Sequence, residues 1–127
     1  MKILDFKKLR NSFRAAFRGL RLAFFEQTFR IFCFCAFFVI IFMFIFRISL
    51  REKIIVIFLI TLNLTLELIN SQIEKILNIL QPNYDKKVKI IKDISAGAVL
   101  IACLGSAIIG ILIFLPYLQI FGFLIHK

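Results

Sequence analysis

The chain has 127 residues, of which 61% are apolar, and a formal net charge of +10; its mean hydropathy is +0.97. Too few polar side chains remain to cover a soluble fold of this length, which excludes an ordinary soluble domain and makes lipid the solvent for much of the chain. One compact membrane domain over residues 1–127 is expected, and the placement of its few charges carries most of the information.

From Phe6 to Phe24, the residues Phe6, Leu9, Phe13, Phe17, Leu20 and Phe24 recur at steps of three and four, the period of a helix with one apolar stripe. Lys7, Arg10, Arg14, Arg18 and Arg21 fall off that stripe. The pattern predicts an amphipathic surface helix over about residues 5–25, lying in the headgroup plane with its rings buried and its basic residues drawn to anionic lipid. A nucleic-acid arm would also be basic, but the adjoining apolar runs argue for a membrane, so no nucleic-acid partner is expected. The N-terminus has no h-region followed by a small-residue cleavage site, so no secreted fate is expected.

Ile31 to Phe46 has no polar side chain and is bracketed by Arg30 and Arg47; it is the first predicted span, over 31–46. At about 1.5 Å per residue it covers roughly 24 Å, short of a core of about 30 Å, so its flanking arginines are expected to snorkel. RISLREK, residues 47–53, reads as a polar turn. The second span runs over 54–80 and is ended by Pro82 and Asn83. A charged loop, Tyr84 to Lys92, leads to a third span over 94–115; Pro116 is expected to end or kink it, leaving YLQIFGFLIHK at the far interface. Cys33, Cys35 and Cys103 lie in apolar runs without metal or redox spacing and read as small buried hydrophobes.

Eight basic residues precede the first span (Lys2, Lys7, Lys8, Arg10, Arg14, Arg18, Arg21, Arg30) and four lie between the second and third (Lys86, Lys87, Lys89, Lys92). Three lie in the first turn and one at the C-terminus. The positive-inside rule then predicts an all-α integral membrane protein, N-in and C-out, with the surface helix and the second loop cytoplasmic.

On the second span Asn63, Glu67, Asn70, Glu74 and Asn78 stay within about 100° of one another at 100° per residue, a single polar line down an apolar rod. A carboxylate in a spanning helix costs about 2–3 kcal/mol even on the lenient insertion scale, so an intramembrane ionisable group is a functional candidate by default. Hydrogen-bonding glue between helices is the bland alternative, but glue does not call for two carboxylates on one line. Glu67, roughly 10 Å short of the inner surface, is placed to meet a lipid headgroup, and Glu74, two turns on, to meet water, metal and nucleotide. A base beside a Mg²⁺ ligand is what phosphoryl transfer to a lipid hydroxyl requires. Glu26, Lys92 and Asp93 are expected at the same membrane face, Glu26 completing a carboxylate pair for the metal and Lys92 offering charge to phosphate, so that three carboxylates and a lysine cluster there. Soluble phosphate-binding loops are absent from the sequence.

ELINSQIE, Glu67 to Glu74, and KDISAGAV, Lys92 to Val99, resemble the small prokaryotic diacylglycerol kinase family, which includes the undecaprenol kinases, and the spacing between the two motifs is kept. NSFRAAFRGL and EQTFRI resemble that family's surface helix and its approach to the first span, so the likeness covers nearly the whole chain; IIGILIFLP looks like the Gram-positive undecaprenol branch. The resemblance implies a homotrimer in the bacterial inner membrane, ATP with Mg²⁺, and a lipid hydroxyl as acceptor. By motif position it implies Glu67 as catalytic base, Glu26 and Glu74 as metal ligands, and Asn70, Lys92 and Asp93 in the nucleotide and phosphate site. The sequence departs from the family pattern at Asn78, commonly aspartate, at Thr28, usually asparagine, and in the stretch Gly19–Glu26, one residue short.

Two other classes compete: an ion-coupled transporter or channel using Glu67 and Glu74, and a non-catalytic membrane scaffold. A transporter wants polar residues continuing outward, yet Ile54 to Leu62 offers only Thr61, so the one-sided polarity favours an interfacial enzyme.

Overall fold

The computed structural model describes residues 5–125; Lys2, His126 and Lys127, which enter the charge balance and the predicted tail, lie outside them. Within that range the chain forms α1 (Phe6–Ala23), α2 (Gln27–Ile45), α3 (Leu50–Leu80) and α4 (Lys86–Ile125). Three of these, α2, α3 and α4 as far as Ile120, are long and apolar enough to cross a membrane.

Two aspartates start the outer helices by the same device. Asp5 accepts from the N–H groups of Lys7 and Lys8 at 3.0 and 3.2 Å, and Asp85 from those of Lys87 and Val88 at 2.7 and 3.3 Å. Each carboxylate satisfies orphan donors of a first turn and stands at the positive end of the helix dipole. Asp85 therefore starts α4 at Lys86, and most of the predicted charged loop is the first two turns of that helix. At its other end α4 does not stop at Pro116 but continues to Ile125. A proline removes one backbone donor and crowds the carbonyl four residues back, which spanning helices tolerate because neighbouring groups re-satisfy the backbone.

α2 starts at Gln27 rather than Ile31, giving 19 residues and about 28 Å, close to a core of about 30 Å. The expected shortfall disappears because the helix takes in Thr28 and Arg30 at its polar end. It ends at Ile45, and Arg47, just past the cap residue Phe46, has a left-handed φ of 49° and an N–H that reaches the Phe44 carbonyl at 3.3 Å. Ile48, next in the chain, is buried in one cluster with Met43, Val56 and Ile113. A left-handed residue just past the end, followed by an apolar contact back onto the last turn, is a common way for a helix to stop.

α3 starts at Leu50, not Ile54, because the predicted polar turn holds a capping box. The Glu52 N–H donates to Ser49 Oγ at 3.4 Å and the Ser49 N–H donates to Glu52 Oε2 at 2.8 Å. The S-x-x-E spacing that carries it is legible in the sequence. The resulting 31 residues extend about 46 Å, longer than the hydrocarbon core, so both ends of α3 reach the polar zone.

α3 packs against both α2 and α4. Three polar links show that α3 and α4 run antiparallel without slipping: Lys92 to Asn78, Asn63 to Ser106 and Tyr117 to Glu52. As residue number falls along α3 it rises along α4 by nearly the same step, over about 39 Å of helix. The apolar cluster of Met43, Ile48, Val56 and Ile113 closes the end where α2 turns into α3. Glu26, Lys75, Asn78 and Lys92 meet at the opposite end.

α1 joins the bundle at its C-terminal end, where Ala23 is buried and the ring of Phe24 meets Phe29 edge-on at 5.5 Å. Along the rest of α1, Phe6, Leu9, Phe13, Phe17 and Leu20 are exposed.

Candidate functional site

The polar line of α3 divides by depth into groups with different partners. Farthest from the Glu26 end is Asn63, whose Nδ2 donates to the Leu59 carbonyl at 2.8 Å and to Ser106 Oγ on α4 at 2.6 Å, while its Oδ1 accepts from Cys103 Sγ at 3.3 Å. This residue acts as hydrogen-bonding glue between α3 and α4, and both of its polar atoms are engaged.

Glu67 and Asn70 are the buried polar pair, 3% and 8% exposed. Glu67 Oε1 accepts from Ser71 Oγ at 3.5 Å, a long contact on the same helix that leaves the carboxylate free to take a proton from a ligand. Asn70 Nδ2 donates to Glu74 Oε1 at 3.3 Å, but Asn70 Oδ1 is buried without a hydrogen-bond partner. A buried orphan acceptor costs about 1–3 kcal/mol and marks a place where a donor or cation belongs.

Glu74 is exposed, six residues before the end of α3, or about 9 Å along the axis. Glu26, the N-cap of α2, makes no capping bond with its side chain. Its Oε1 instead meets Lys75 Nζ at 2.6 Å. Lys75 was missed by sequence reasoning, although its place beside Glu74 in the motif was the available signal. Both partners of that pair reach solvent, so it is worth about 0–1 kcal/mol.

Lys92 reaches across from the second turn of α4, its Nζ donating to Asn78 Oδ1 at 2.5 Å. Asp93 is exposed. Consecutive helical residues point about 100° apart, so a Lys92 turned toward α3 turns Asp93 away. Among the described residues no group of three His, Cys, Asp or Glu side chains is placed to hold a metal ion. What the chain does bring to this end is Glu26 with Lys75, Glu74 with Asn70, and Lys92 with Asn78.

An open apolar groove of about 590 Å³ lies between α2, α3 and α4, lined by Ile31, Cys35, Val39, Asn63, Leu64 and Cys103 among others. Leu64 and Asn63, which line it, stand one turn before Glu67 on α3, while Glu67 itself is not part of the lining. Cys35 lines it and is exposed in the single chain, against the expectation of burial; all three cysteines are free thiols.

Residues 14–114 match the family described as prokaryotic diacylglycerol kinase. The chain is also 37% identical, over 93 residues, to a protein of Bacillus subtilis strain 168 named undecaprenol kinase, a match covering 73% of this chain and 76% of that one. No solved structure matches the chain.

Proposed function

The chain belongs to the prokaryotic diacylglycerol kinase family, and from that membership we propose that it transfers the γ-phosphoryl group of ATP to the hydroxyl of a membrane lipid at the cytoplasmic face of the bacterial inner membrane. The observation that carries the reading is the buried Glu67–Asn70 pair, one turn along α3 from the lining of an apolar groove and one or two turns from Glu74 on the same face of α3.

A lipid chain lying in the groove brings its terminal hydroxyl to Glu67. Glu67 accepts the hydroxyl proton as the oxygen attacks the γ-phosphorus, and the bond from that phosphorus to the β,γ-bridging oxygen breaks to leave ADP. Lys92, held by Asn78, faces the phosphates with its charge undiminished, because its partner is a neutral amide. Asp93, on the outward side of α4, is assigned to the nucleotide beyond the phosphates. Because phosphoryl transfer is mostly positioning and charge neutralisation, these roles account for the chemistry without a covalent intermediate.

Magnesium suits the donors present. It is commonly held by one or two carboxylates together with substrate phosphates, so Glu26 and Glu74 suffice without a third. The orphan Oδ1 of Asn70, next to Glu74, is a further hard oxygen. When bound, the ion neutralises charge on the β- and γ-phosphates.

The acceptor we favour is a long polyprenol, since the Bacillus relative bears that name and the groove is apolar throughout most of its length. The apolar face and basic residues of α1 dock on anionic lipid, and the assembly is a homotrimer by likeness to the family. The test is to incubate the purified protein in mixed micelles with labelled ATP and either undecaprenol or diacylglycerol. Label in undecaprenol supports the reading; label in diacylglycerol alone moves the acceptor, and label in neither removes the proposed activity.

A further inference from the structure

Glu26 passes over the partners closest to it. As the N-cap of α2 it stands beside orphan backbone N–H groups and the positive end of a helix dipole, yet its side chain makes no capping bond. It crosses instead to α3 and meets Lys75 Nζ at 2.6 Å. Lys75 follows Glu74 directly, and the Glu74 carboxylate is already engaged by the Asn70 amide. A cation therefore stands at the helix end where both proposed metal ligands lie, and it is bound to the one whose side chain has no other partner among the described residues.

Exposure decides what this pair does. The side chains of Lys75 and Glu26 are 57% and 37% exposed, so water reaches both and the pair is exchangeable. A buried pair would resist any competitor and would serve only to fasten α2 to α3. A divalent cation arriving at Glu26 offers the carboxylate twice the charge of the ammonium and repels Lys75 by like charge, so metal and lysine exclude each other there.

We propose that Lys75 is a displaceable counter-ion, a positioning residue that keeps the Glu26 carboxylate at the site until the metal takes its place. The inference rests on the reading of Glu26 as a metal ligand. Its consequence is that the wild-type chain binds divalent metal less tightly than a variant without the competing charge.

The test uses the full chain in zwitterionic nanodiscs, with Mn²⁺ as the probe and free Mn²⁺ followed by electron paramagnetic resonance, with and without a non-hydrolysable ATP analogue. Lys75→Met removes the charge and keeps the stem at an exposed position. It is expected to tighten Mn²⁺ binding by about 1.5- to fivefold, the range set by displacement of an exposed ion pair. Lys75→Arg keeps the pair and is expected to stay near wild type, while Glu26→Gln weakens binding. If Glu26→Gln weakens binding but Lys75→Met does not strengthen it, the counter-ion is overturned and the ligand stands. If Glu26→Gln changes nothing, or no Mn²⁺ binds in either condition, both fall.

Discussion

Lys92 on α4 donates its Nζ hydrogen bond to the amide oxygen of Asn78 on α3, a contact of 2.5 Å between residues fourteen apart in sequence. The lysine is thereby aimed at the polar end of α3 by a partner that leaves its charge intact.

Removing that charge should weaken the hold on ATP. Hydrogen bonds to charged groups contribute about 1.5–3 kcal/mol, so Lys92→Met is expected to raise the KM for ATP by at least about tenfold. Asn78→Leu removes only the aiming and is expected to raise it less than Lys92→Met. Initial rates against ATP concentration decide the matter; a Lys92→Met enzyme with wild-type KM would put Lys92 outside the phosphate site.

Glu67 is expected to be required for turnover and dispensable for nucleotide binding. Glu67→Gln keeps the shape of the side chain and its contact with Ser71, but an amide cannot accept the hydroxyl proton, which predicts a loss of about 10²- to 10⁴-fold in kcat. Retention of near-normal turnover, with binding of a fluorescent ATP analogue as the control for folding, would assign the base elsewhere.

The Asn63–Ser106 bond is assigned to structure and not to chemistry. Ser106→Ala leaves Asn63 its bond to the Leu59 carbonyl, so the loss is expected to be about 0.6 kcal/mol and no more than about 2 kcal/mol, the range for hydrogen bonds between spanning helices. Unfolding in mixed detergent micelles measures it, and kcat should not change. A variant of normal stability and low kcat would bring Asn63 into the active site.

The orientation sets whether the polar end meets cellular ATP. Single cysteines at Ser49 and at Asn83, in a background without Cys33, Cys35 and Cys103, are to be labelled in intact cells with a membrane-impermeant thiol reagent. Position 49 should label and position 83 should not, because the positive-inside rule, with twelve basic residues against four, predicts α1 and the α3–α4 connection to be inside. The reverse pattern would remove the kinase reading, and labelling at both would mean that one helix does not span.

The sequence alone determined the number of helices long and apolar enough to span and the polar line of α3, because both follow from local periodicity: apolar runs long enough for a bilayer, and a side-chain repeat of 3.6 residues that places Asn63, Glu67, Asn70, Glu74 and Asn78 on one face. Capping chemistry that was equally local, the Ser49–Glu52 box and the Asp85 cap, accounts for why α3 and α4 begin earlier than apolarity suggested. The tertiary structure alone decided which polar residue meets which. Nothing in periodicity pairs Glu26 with Lys75 or Lys92 with Asn78, since those contacts depend on the antiparallel register of α2, α3 and α4 and on the direction each side chain takes from its helix. The same packing assigned Asn63 to helix association, buried Glu67, and left Asn70 Oδ1 without a partner, because burial is set by neighbouring helices and not by the helix that carries the residue.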